Sequence, residues 1–137
     1  MKKDIPIKKV EGIAIAILPR EDDNGEIDDS LWNVYILNTN EYTLTGVLIN
    51  SRGYGEVDGE EKKTSVLRHF FEEIGPLRAT LIEPIQSDVF ELANEYWVSY
   101  KLDGHMYDKK YVFVKGSIDK MNFTTIPYIE KMGVMIK

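Results

Sequence analysis

Residues 51–65 read SRGYGEVDGEEKKTS and bring together the residue types that can cradle a phosphate. Such a cradle works when backbone N–H groups at a helix N-terminus converge on the anion, with a lysine and a hydroxyl completing the shell. Gly53, Gly55 and Gly59 instead make G-x-G-x-x-x-G rather than the dinucleotide G-x-G-x-x-G, and Lys62 and Lys63 follow two glutamates instead of the last glycine. Glu56, Asp58, Glu60 and Glu61 place negative charge where the anion would sit. The expectation is a connecting loop. The alternative is a small enzyme or ligand-binding domain for a phosphorylated sugar or nucleotide, using Arg52, Gly53, Gly55, Lys62, Lys63 and His69.

The other polar candidates are sparser. His69 and His105 are the only histidines, and neither H-x-x-x-H nor H-E-x-x-H spacing occurs, so no metal site is expected. The acidic segment REDDNGEIDDS mimics a calcium loop, yet counting back from Gly25 puts Arg20 at the first position, where an oxygen ligand is required. Asn24-Gly25 suits a tight turn instead. Ser65, Ser87, Ser99 and Ser117 lie in no G-x-S-x-G turn, and Arg52, Arg68, Arg78, Lys62 and Lys63 are scattered among carboxylates as solvated charges are. No catalytic residue and no cofactor is expected.

Composition narrows the class further. A chain of 137 residues with 43% hydrophobic and 29% charged residues is expected to form one soluble domain over 1–137. The formal charge of −6 repels a polyanion, which makes nucleic acid a poor partner. With no cysteine, disulfides, thiolate nucleophiles and cysteine-ligated metals are excluded. The opening MKKDIPIKKVEGIAIAILPRE has a short apolar run and no small-residue cleavage site, so it reads as a strand of a cytoplasmic protein with no membrane attachment.

The elements that must position these groups are mostly β-like. IAIAIL at 13–18 alternates large and small side chains, as expected of a strand with a core on one face and a crowded neighbour on the other. LWNVYILNTN and EYTLTGVLIN follow, with Trp32, Val34 and Ile36 on one face of the first and Val47 and Ile49 on one face of the second. RATLIEPI, NEYWVSYKLDG and YDKKYVFVKG continue the pattern, with a hairpin turn expected at Asp103-Gly104. Over 62–74 two periods compete: Val66, Leu67, Phe70, Phe71 and Ile74 fit one helical face, whereas the surrounding run of short strands favours a strand. The tail 119–137 is expected to pack across the domain.

Within NEYWVSYKL, placing Tyr96, Val98, Tyr100 and Leu102 on the core side turns Trp97 outward beside Ser99 and Lys101. An outward tryptophan on a sheet is a frequent contact anchor, and the competing reading puts it beneath the C-terminal tail.

The runs TSVLRHFFEEIGP, LIEPI, NEYWVSY, YDKKYVFVKGSI and TTIPYIEKMGVMI together resemble a group of short bacterial proteins, some of which are labelled phosphoribosylpyrophosphate synthetase. That label implies a ribose-phosphate loop after a parallel strand and histidine and acidic residues that hold magnesium, and those motifs are absent here. LWNVYILNTNEYTLTGVLINSRG is similar to immunoglobulin-like and fibronectin-like modules, which implies protein binding. The expected fold is mainly β, an antiparallel sandwich of immunoglobulin-like type, with α+β as the alternative if 62–74 is a helix. The expected role is a non-catalytic module that binds a protein partner or associates with itself.

Overall fold

The structure, a computed structural model, describes residues 7–137. The strands are β1 (Ile7–Lys8), β2 (Ile13–Glu21), β3 (Ile27–Asn38), β4 (Leu44–Val57), β5 (Glu60–Lys63), β6 (Leu67–Ile74), β7 (Arg78–Gln86), β8 (Ala93–Leu102), β9 (His105–Phe113), β10 (Thr124–Ile126) and β11 (Lys131–Ile136). The only helical pieces among the described residues are short 3₁₀ turns at Ser87–Glu91 and Lys120–Asn122, and no described helix is long and apolar enough to cross a membrane.

The strands form two sheets, antiparallel apart from the short parallel β1–β9 pair, and neither closes into a barrel. The first runs β1-β9-β8-β4-β5, and β6 lies on the same side of β4 as β5, lower along the strand. The second runs β10-β11-β2-β3-β7. Between them sits one core. The second sheet supplies Ile13, Ile15, Ile17, Val34 and Ile36, and the first supplies Leu44, Val47, Ile49, Tyr96, Val98 and Tyr111. Each such side chain contributes about 1.5–3 kcal/mol when taken fully out of water.

The alternation expected at 13–18 is realised on both sides of β2. Its isoleucines enter the central core, while Ala14, Ala16 and Leu18 form a second buried cluster with Leu37 and Ile126 on the outer face. Asn38 ends β3 with its side chain fully buried, and its Nδ2 donates to the Tyr42 and Gly75 carbonyls at 2.9 and 3.1 Å. This amide anchors the link that carries the chain from the second sheet to the first. Asp103-Gly104 makes the expected β8–β9 turn.

One expectation changes, and one alternative falls. Residues 51–65 are not a connecting loop: β4 continues to Val57, turns at Asp58-Gly59 and returns as β5. Asp58 and Gly59 have φ of 52° and 79°, the two positive values that a tight hairpin turn requires. The composition is poor for a strand, yet the ladder to β8 persists as far as Tyr54↔Ala93, so pairing overrides propensity. The helical alternative over 62–74 is also overturned. The segment is β5, a break at 64–66, and β6, which pairs with β4 from Leu67↔Ser51 to Ile74↔Leu44.

Candidate functional site

A cleft of about 250 Å³ opens where β4, β7 and the first 3₁₀ turn meet, lined by Ser51, Gly53, Thr64, Glu83, Asp88 and Tyr96 among others. A Cβ at Gly53 would lie 3.2 Å from Thr64 Cγ2 and 3.3 Å from Leu92 Cδ1, a tight fit to which those side chains would have to yield. The Gly53 N–H already donates to Thr64 Oγ1 at 2.8 Å. This amide is therefore taken by the protein itself.

Glu83 is the hub of the cleft floor. Between Val34↔Glu83 and Tyr35↔Leu81 the β3–β7 register shifts, leaving Ile82 as an extra residue. The bulge lets consecutive residues, Ile82 and Glu83, both turn inward, where they are 7% and 8% exposed. Ser51 Oγ donates to Glu83 Oε1 at 2.6 Å, and His69 Nε2 meets the same oxygen at 2.8 Å. The Tyr96 phenol is pushed far above its ordinary range, first by burial and then by the negative charge of Glu83. A buried carboxylate is tolerated only when so surrounded. The cluster joins β4, β6 and β8 of one sheet to β7 of the other.

The order of contacts matters for chemistry. In an acyl-transfer triad the imidazole lies between hydroxyl and acid, so that it can take the hydroxyl proton. Here the acid lies between hydroxyl and imidazole, and both contact one oxygen. The arrangement holds Ser51 rather than activating it.

The residues proposed from sequence as an anion site are split among separate places: Arg52 and Gly53 border the first cleft, Gly55, Lys62 and Lys63 share a second depression, and His69 faces Glu83. Arg52 points to the outer face of the first sheet, its Nε 3.0 Å from Glu95 Oε2 and its guanidinium over the Tyr54 ring at 5.2 Å. Lys62 lies 3.4 Å from Glu60, and Lys62 and Lys63 share a depression with Tyr54, Gly55, Glu56 and Glu61. His69 turns to the opposite side, against Glu83. Ser51, Glu83 and Tyr96 were missed by sequence reasoning, and the one available signal was a charge inside the apolar run LIEPI.

The outer face of the first sheet carries the other candidate. Trp97 is exposed beside Ser99 and Lys101, on the side opposite the buried Tyr96, Val98 and Tyr100, as expected from alternation. The tail does not cover it. Its indole N–H donates to Asp108 Oδ1, and Lys110 Nζ sits 4.4 Å from the ring centre. Register places Phe70, Leu48 and Ser99 in one row across β6, β4 and β8, and Arg68, Asn50 and Trp97 in the next. Leu48 thus lies beside Phe70 and diagonal to Trp97, within reach of both. Phe70 is 65% exposed, and Asn50 Oδ1 is buried in the next row with no hydrogen-bond partner among the described residues.

No protein-family model, curated protein or solved structure matches this chain.

Proposed function

We propose that the chain is a non-catalytic interaction module and that its contact surface is the outer face of the first sheet around Phe70, Leu48, Trp97, Ser99 and Lys101. The observation that carries this reading is the apolar strip from Phe70 through the half-buried Leu48 to Trp97, in which Phe70 is 65% and Trp97 38% exposed on a sheet face. Aromatic anchors rimmed by charge are the usual hot-spot composition of a protein contact. Lys101, Lys110 and Arg68 supply that rim.

The competing reading, a site for a phosphorylated sugar or nucleotide, has less support. The carboxylates of Glu83 and Asp88 line the cleft, and those of Glu56 and Glu61 line the lysine depression. With Arg52 beside two carboxylates in the cleft and Lys62 and Lys63 beside two in the depression, neither lining carries net positive charge to draw an anion.

Photo-crosslinking tests the module. A benzoylphenylalanine at Ser99 is expected to give discrete covalent adducts in the native cells, whereas the same group at Asn24, on the β2–β3 turn of the other sheet, gives none. Equal labelling from the two positions, or no adduct from Ser99, overturns the reading.

A further inference from the structure

The sheet edges are guarded unequally. An open edge presents unpaired N–H and C=O groups, and proteins blunt such edges by shortness, charge, proline or bulges. β1 has 2 residues and β10 has 3. β5 is the charged tetrapeptide EEKK. β7 carries both Pro84 and the bulge at Ile82. β6 differs in length and pattern: it runs for 8 residues without proline or glycine, among the described residues it pairs only with β4, and its charges Arg68, Glu72 and Glu73 flank an apolar centre. Its outward residue Phe70 is among the most exposed large apolar side chains described.

The sequence of β6 is self-complementary in one register. In a two-fold antiparallel pair centred on residue 70, Phe70 faces Phe70 of a second copy, and Arg68 of each copy faces Glu72 of the other. Residues directly opposite share a face, so these contacts all lie on the outer side, next to Leu48 and Trp97. Shifting the centre to 69 sets Arg68 against Phe70, and shifting it to 71 sets Phe70 against Glu72. On the outer face, only the first register sets Phe70 against Phe70 and Arg68 against Glu72.

We propose that β6 is the pairing edge of a symmetric homodimer, in which two first sheets join through antiparallel β6 strands with Phe70 at the two-fold axis and reciprocal Arg68–Glu72 pairs on either side. The inference rests on the reading of the outer face as a contact surface and names its occupant as a second copy of this chain. An isologous contact of this kind closes on itself and does not propagate into a fibre.

Sedimentation equilibrium over a range of concentrations tests it. The wild type is expected to reach twice its 15.8 kDa mass. Arg68→Glu alone and Glu72→Arg alone each set like charges opposite one another twice, so each is expected to lower the association constant roughly tenfold or more. A mixture of the two single variants restores opposite charges at both positions and is expected to regain the dimer. No folding defect in either variant would be repaired by mixing. Because the chain has no cysteine, Phe70→Cys supplies a unique thiol, and oxidation is expected to give a covalent dimer. A wild type that stays monomeric at every concentration overturns the pairing, as does a dimer indifferent to both charge reversals or unable to cross-link through position 70. If Ser99 adducts then contain a different protein, the interaction module stands and only the self-pairing falls.

Discussion

The two sheets cover their outer faces to different extents, the second closing over β2 and the end of β3 while Leu81 on β7 stays 47% exposed. On the second sheet, Ala14, Ala16 and Leu37 are 4% exposed or less because Ile126 and Ile129, from β10 and the turn after it, lie over them. On the first, no described segment lies over Leu48, Phe70 and Trp97 in this way: Leu48 is half-buried and Phe70 is 65% exposed. Both faces carry large apolar groups at alternating positions, so alternation does not distinguish them. What differs is whether the chain returns to cover the face. An apolar sheet face left open among the described residues is available to another surface.

Substitution at matched positions should break this symmetry most visibly. Ile126→Ala empties a fully buried site over β2 and is expected to cost about 3 kcal/mol, a fall of about 10 °C in Tm for a domain of this size. Phe70→Ala, measured at dilution, is expected to change stability by no more than about 0.5 kcal/mol. Comparable losses from the two variants in thermal melts would mean that the first sheet's outer face is structural after all.

The second effect concerns what holds the faces apart. Glu83→Ala leaves Ser51, His69 and Tyr96 without their shared partner across the sheet-to-sheet boundary, at an expected cost of about 2 kcal/mol. Chemical denaturation would measure it. A neutral result would show that the hub contributes nothing to joining the sheets.

These two regions were unequally legible in the sequence. Trp97 could be placed outward because a strict two-residue period governs 96–100, and the paired faces of β2 followed from IAIAIL in the same way. Phe70 could not, because HFFEE satisfies a helical period as well as a strand, and only pairing with β4 decides between them. The Glu83 hub was hidden for a different reason. Its members lie on β4, β6, β7 and β8, and a bulge turns Glu83 inward. Residues 51–65 misled through composition, since glycine and charge favour a loop locally while the long β4–β8 ladder carries the strand onward.

The inner faces differ too, and alkali should expose the difference. The second sheet contributes aliphatic side chains and Trp32, none of which titrates, whereas the first contributes Tyr96 and Tyr111, both raised well above the ordinary phenol value, chiefly by burial. The Tyr111 hydroxyl also donates to the Ile13 carbonyl at 2.9 Å. The native state keeps these protons after the unfolded chain begins to lose them near pH 10. Their contribution is therefore complete below that pH and is lost as pH rises towards the folded values, by up to about 1.4 kcal/mol per unit for each tyrosine. Tm should fall between about pH 9 and about pH 11, with a shallower slope in Tyr96→Phe. A slope that Tyr96→Phe leaves unchanged would place the titration elsewhere.

The smallest expected effect lies at the far end of the first sheet, where β4 and β5 form the glycine and lysine hairpin. Any ligand that binds only the native state adds RT ln(1 + [L]/Kd), about 2.7 kcal/mol at a hundredfold excess over Kd. A genuine phosphate site could not escape a melt under those conditions. Gly53 N–H is bound to Thr64, Arg52 is paired with Glu95, and Lys62 lies beside Glu60 among further carboxylates. The groups that would receive an anion are thus engaged or opposed. ATP, ribose 5-phosphate and phosphoribosylpyrophosphate, with or without magnesium, are expected to leave Tm unchanged. A strong shift with one of them, abolished by Lys62→Ala together with Lys63→Ala, would move the functional surface from the open face around Phe70 to the hairpin and make ligand binding the activity to pursue.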